Sequence, residues 1–287
     1  MIYILLSISC SVTVAVLLKL AKRYKIHVLQ AVLWNYLTAI ILSYIFFRPD
    51  LKEMTGTPSA LALSIGILLP VLFVILAASV QKIGIVKSDI AQRLSLFIPI
   101  LASVYLFGEN FTWLRIAGLG VGFLAIILTL SRKSTVKNDS GSYIYPVLVF
   151  VGFGLIDVMF KKLALDKSIP YTSTLMIIFC ISFVVAAFIL VYVVLVKKRK
   201  VELINFFCGI VLGGFNFGNI LFYMKAHRAM ASNPSTVFAA MNMGVIILGS
   251  LIGITLFKEK VSKLNYIGIT MALVAIFLIT LSQKYAV

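Results

Sequence analysis

Acidic residues are scarce in this chain: 9 Asp and Glu stand against 26 Lys and Arg in 287 residues. Histidine (2) and cysteine (3) are scarcer still. Each shortage excludes a class of chemistry. His27 and His227 sit at the ends of apolar stretches, and no His/Glu or Cys/His spacing suits a metal. No paired carboxylates lie at depth, and no Gly-x-x-x-x-Gly-Lys-Ser/Thr loop could hold a nucleotide. An enzyme is therefore disfavoured, and no cofactor is expected. Cys10, Cys180 and Cys208 fall inside apolar runs, where cysteine acts as a small apolar side chain, so a disulfide framework is not expected.

What is abundant is apolar surface, at 62% of residues. A soluble fold could not hide that much, so lipid must be the solvent for most of it. A membrane-spanning helix needs about 20 apolar residues, and the chain divides into ten such spans: 2–20, 28–47, 59–80, 86–107, 112–131, 144–165, 172–196, 203–224, 234–256 and 263–282. The first has no bases before it and is followed by charges, as expected of a retained anchor rather than a signal peptide. A net charge of +17 could suggest nucleic acid, but the bases cluster at span ends, as in Lys197-Lys198-Arg199-Lys200. That is the positive-inside pattern. Of the 26 bases, 17 fall in connectors on one side, which places both termini outside the cytoplasm. A multi-pass protein of a bacterial inner membrane is the expected setting, with the bilayer rather than nucleic acid as partner.

The spans form two similar sets of five. Leu106-Phe107-Gly108-Glu109 returns 150 residues later as Leu256-Phe257-Lys258-Glu259, and the register then holds without a gap. Leu114, Gly118, Ala125, Ile126 and Leu128 meet Leu264, Gly268, Ala275, Ile276 and Leu278. Lys19-Leu20-Ala21 likewise returns as Lys162-Leu163-Ala164, at an offset of 143. With five spans per copy, the second copy enters the membrane from the opposite side. The expected fold is an all-α polytopic membrane protein of ten transmembrane helices in two inverted five-helix repeats. The repeats cover 1–135 and 144–287, and 136–143 joins them. Gly118 and Gly122 match Gly268 and Ala272, a spacing that lets helices approach closely in lipid.

Two five-span halves, each ending in Leu-Phe-x-Glu, a short turn and a Gly-containing last span, resemble the EamA-like branch of the drug/metabolite transporter superfamily. The resemblance covers essentially the whole chain. It implies a secondary transporter with a central cavity between inverted halves, for which a monomer suffices. It leaves open amino acids, sugars, nucleotide-linked compounds and drugs as substrates. It also implies cytoplasmic termini, against the charge count. Pro99 in span 4 has no counterpart in span 9, which puts symmetric gating by two prolines in doubt.

Polar residues inside apolar spans are costly and usually face a cavity or a partner. Gln92 and Asn242 correspond at the 150 offset and could face each other across a central site, offering donors and acceptors to a small polar solute. Arg93 either pairs with Asp89 one turn earlier or docks an anionic group. Asn216, Asn219 and Tyr223 share one helical face, and Asn35 sits awkwardly in span 2. Asp157 is the one acid well inside a span. It is a proton-coupling candidate, unless an ion pair with Lys161 keeps it structural. Glu109 and Glu259 read as structural, capping the spans that follow or pairing with nearby bases. Asn233-Pro234 reads as the cap and first residue of span 9, and Ser88-Asp89 as the start of span 4. Transport of a small polar metabolite such as an amino acid is the first expectation. Broad drug efflux and sugar or nucleotide-sugar uptake are alternatives, and a channel is a remoter one.

Overall fold

A computed structural model describes residues 1–24, 26–49, 59–83, 85–129, 144–166, 170–198, 202–258 and 262–282. Among them every regular element is a helix: α1 (Ile2–Arg23), α2 (Val28–Phe47), α3 (Ala60–Ile83), α4 (Ile85–Leu94), α5 (Phe97–Tyr105), α6 (Trp113–Thr129), α7 (Ile144–Leu165), α8 (Tyr171–Lys197), α9 (Leu203–Ala229), α10 (Pro234–Thr255) and α11 (Lys263–Ser282). Six are long and apolar enough to cross a membrane, namely α2, α3, α8, α9, α10 and α11. Their outer faces keep large apolar side chains exposed, such as Phe188, Val191 and Leu195 on α8 and Phe207, Val211 and Phe215 on α9. Surface of that kind is stable against lipid and not against water. The joining segment 136–143 lies outside the described residues.

Prolines decide where helices break. Pro99 has no N–H to offer the Ser95 carbonyl one turn back, and its ring crowds that carbonyl. The helix stops at Leu94 and restarts at Phe97. In the gap Ile98 N–H donates to the Ser95 carbonyl (3.0 Å), and Ser95 Oγ donates to the Gln92 carbonyl (2.6 Å). The fourth expected span is thus two helices. Pro70 is accommodated without a break inside α3. It leaves the Gly66 carbonyl without its helical donor, and Ser182 of α8 supplies one at 2.9 Å. The same glycine sets the crossing, because a Cβ at Gly66 would lie 2.7 Å from Ile181 Cβ. α4 begins at Ile85 and not at Ser88; the Ser88 hydroxyl sits inside the helix, 2.7 Å from that of Ser79.

Two crossings are close. α3 meets α8 at Gly66, and α9 meets α2 at Gly213, where a Cβ would lie 2.7 Å from the Asn35 carbonyl oxygen and from Thr38 Cβ. α6 packs along α11, with Gly118 against Leu278 and Ile279. Gly122 is filled by Met243 of α10 and by Ala275, and Gly268 and Ala272 are buried in α11. α1 packs on α9 and α10, and α7 on α3, α4 and α5. The buried core lies between these helices, with α10 enclosed from Pro234 to Met241.

Candidate functional site

On α7 the exposed residues Ile144, Val147, Val151 and Leu155 form one stripe. Helical spacing turns Asp157, Phe160 and Lys161 away from it, into the molecule. On α9 the exposed stripe runs through Ile204, Phe207, Val211 and Phe215, and Asn216, Tyr223 and His227 lie on a different, inward face. The two inward faces meet. Tyr223 donates its hydroxyl to Asp157 Oδ1 at 2.9 Å. The Tyr223 ring stands edge-on to Phe160 (centroids 6.5 Å apart) and to His227 (4.6 Å), and His227 packs on Phe238 (4.7 Å). Asp157 keeps part of its surface accessible.

Lys161 is wholly enclosed, yet its ammonium does not serve Asp157. It donates to the carbonyls of Ala231 (3.0 Å) and His227 (3.3 Å), where α9 ends. The His227 carbonyl belongs to the last turn of α9, the negative end of the helix dipole, and the Ala231 carbonyl to the turn that follows it. The one-turn spacing that allowed a carboxylate–ammonium pair is overruled by these better-placed acceptors. His227 is fully buried, and neither ring nitrogen has a hydrogen-bond partner.

The other expected residues distribute unevenly. Asn216 is buried at the inner face of α9. Asn219 instead ties α9 to α1, its Oδ1 and carbonyl both accepting from Ser7 Oγ (2.8 and 3.0 Å). Asn35 is completely enclosed at the α2–α9 crossing, with no partner for its amide. Gln92 and Asn242 are not joined by a hydrogen bond. The Asn242 amide donates to the Phe238 carbonyl of its own helix (3.2 Å), and Gln92 lies on α4, which packs on α3, α6 and α7. Arg93 is partly buried near the end of α4, and the Asp89 side chain lies outside the described residues, as does Glu259. No three His, Cys, Asp or Glu side chains form a metal cluster among the described residues.

Glu109 pairs with a base of the helix that follows it rather than capping that helix. Its Oε1 accepts from Arg115 (2.6 Å) and from Ser235 Oγ (2.8 Å), while Oε2 accepts from the Ser235 N–H (2.9 Å). It therefore caps α10. Asn233 is the N-cap by position but makes no capping bond, since its Oδ1 accepts from Arg115 at 2.8 Å. Sequence reasoning passed over Arg115, His227 and Ser235. A signal for His227 was present, one turn after Tyr223 on the same face. For Arg115 the signal was weaker: a lone base in the first turn of an apolar helix.

Residues 1–131 match the model of the EamA-like transporter family. Across 285 residues, 96% of each chain, the protein is 41% identical to a Haemophilus influenzae protein named only "Uncharacterized protein". The chain belongs to the EamA-like transporter family. It is thus a multi-pass membrane protein of a transporter family, part of the drug/metabolite transporter superfamily. One solved crystal structure shares the fold over the whole chain and 98% of its own, with a TM-score of 0.73 and 15% identity.

Proposed function

We propose that this EamA-like protein is a secondary active transporter that moves a small polar metabolite, such as an amino acid, by alternating access, with Asp157 carrying the coupled proton. The observation that carries the reading is Asp157 itself. It is an acid on the inward face of α7, bonded to Tyr223 and with no ion pair to Lys161. A carboxyl so placed can exchange a proton between the two sides as the protein changes shape. Asn216, Gln92, Asn242 and Arg93 are the groups offered to the solute's polar ends, while Asn35 and Asn219 are largely engaged in helix packing. α4 and α5 together form one broken span, giving ten spans in two inverted sets over residues 1–135 and 144–287. The packing supports this. Exchanging the halves converts α2–α9 into α8–α3 and α1–α9 into α7–α3, and all four contacts exist. Gly66 and Gly213 are 147 residues apart, and Thr38 and Ile181 143, in line with the repeat offsets. A monomer in the bacterial inner membrane, with its basic connectors facing the cytoplasm, suffices.

The test is saturable flux of labelled amino acids into proteoliposomes under an imposed pH gradient. The wild-type chain drives accumulation, and Asp157→Asn loses it. Undiminished gradient-driven accumulation by Asp157→Asn refutes the coupling role. A second reading, export of an amphipathic cation, draws on the rings of Phe160, Tyr223, His227 and Phe238 beside the acid. Competition by organic cations, and not by amino acids, would select it.

A further inference from the structure

We infer that Glu109 and Arg115 form a latch that holds the transporter shut at the end bearing both chain termini. This rests on the alternating-access reading, which requires each end to open in turn. Both side chains are almost wholly enclosed, at 2% and 1% exposure. A buried ion pair is a poor way to gain stability, because desolvation offsets most of the attraction, but breaking it by removing one partner is strongly unfavourable. Such a pair is suited to choosing between two arrangements.

Its connections are those of a latch. The turn between α5 and α6 provides Glu109, and the first turn of α6 provides Arg115. Glu109 holds the start of α10 through Ser235, and Arg115 holds Asn233 (2.8 Å), the Asn110 carbonyl (3.3 Å) and Ser282 at the end of α11 (3.4 Å). Two charges from the first half thus secure two helix ends of the second. From α7, Lys161 holds the adjoining turn through Ala231, with its ammonium 5.9 Å from the Phe107 ring. Opening this end lets water replace each of these bonds, so the charges that disfavour partial separation are well solvated once it is complete.

The other end is built differently. At the 150-residue offset Arg115 becomes Asn265, a neutral side chain whose Oδ1 accepts from Ser262 N–H and Oγ (3.0 and 2.6 Å) and whose amide donates to the Leu128 carbonyl (3.4 Å). The guanidinium is present at one end of the pseudo-symmetric molecule and replaced by an amide at the other. The latch biases the full chain toward closure at the terminus end.

The experiment places a reporter cysteine at Thr236, which is fully enclosed beside Ser235 and whose hydroxyl has no partner to lose. Cys10, Cys180 and Cys208 are first replaced by alanine. A membrane-impermeant maleimide is then applied to right-side-out and inside-out vesicles. Glu109→Gln is expected to raise labelling from the terminus side about tenfold, with no rise from the other side. Asn233→Ala, which removes one bond of the latch (from Arg115) and a local bond to Ser232, is expected to give a smaller rise on the same side. Unchanged terminus-side labelling in both variants overturns the latch, as does an equal rise from both sides. If Glu109→Gln fails to fold, Asn233→Ala alone decides. Flux is measured on the wild-type chain in parallel. Its absence would refute the transport reading, whereas normal flux with unchanged labelling would refute only the latch.

Discussion

Replacing Gly213 with alanine should destabilise the protein, while the same change at the neighbouring Gly214 should not. A Cβ at Gly213 would lie 2.7 Å from the Asn35 carbonyl oxygen, 2.7 Å from Thr38 Cβ and 3.0 Å from Asn35 Cα. Ordinary contact begins near 3.4 Å, so α2 would have to retreat by about 0.7 Å. Two of the three obstructing atoms are backbone, and no rotamer change relieves them. Overpacking of this kind costs about 3 kcal/mol at the upper end of its usual range. The gain in helix propensity from glycine to alanine returns about 1 kcal/mol. The net loss is about 2 kcal/mol, which lowers the midpoint of thermal unfolding by about 3 °C for a chain of this size. A Cβ at Gly214 meets nothing within 4 Å, so Gly214→Ala keeps only the propensity gain. Gly66→Ala should behave like Gly213→Ala, because its Cβ would press on Ile181. The assay is thermal unfolding of purified protein in detergent, followed by the loss of monodisperse protein. If Gly213→Ala and Gly214→Ala melt together, the α2–α9 crossing is not where the structure puts it.

Other outcomes follow from the same contacts. Ser182→Ala leaves the Gly66 carbonyl without a donor opposite Pro70 and should cost about 1 kcal/mol; in a Pro70→Ala background, where the helix supplies its own N–H, the unfolding midpoint should no longer respond. Lys161→Met removes the cation from the carbonyls at the end of α9, so amide exchange in the last turn of α9 should speed up, with Lys161→Arg milder than Lys161→Met. Tyr223→Phe deprives Asp157 of its hydroxyl donor, and proton-driven flux should fall about tenfold while gradient-independent exchange falls less, measured in the same proteoliposomes.

Much of the helical layout could be read in advance because it depends on local properties. Apolar run length marks the candidate spans, but it reads 86–107 as one, and the break at Pro99 goes unread although the missing N–H and the crowded carbonyl belong to one turn. Pro70 shows where that reading stops. Its orphaned carbonyl is served by Ser182, 116 residues from Gly66, and nothing near Ser182 announces the role. The same holds for capping. Asn233-Pro234 has the residues of a helix start, and the helix does start there, yet Glu109 from the other half provides the capping oxygen and Arg115 claims the asparagine.

Asp157 and Lys161 carry the point furthest. An i,i+4 carboxylate–ammonium pair is a rule about isolated helices in water, where the competitor of each charge is solvent. Inside a bundle the competitors are other helices' unpaired groups, and an ammonium with a flexible stem settles where most lone pairs are unsatisfied. The end of α9 and the turn after it offer Lys161 two such carbonyls, those of His227 and Ala231. Lys161 therefore goes to the helix end, and Asp157 is left to Tyr223. The acid lacks its nearest counter-ion because a packing demand elsewhere took the ammonium, which is what the proposed coupling role requires. Supplying another base on its inward side, for example by Asn216→Lys, should restore a partner for Asp157 and suppress proton-driven flux even if solute binding survives. Undiminished coupling in that variant would mean that Asp157 is not the group that carries the proton.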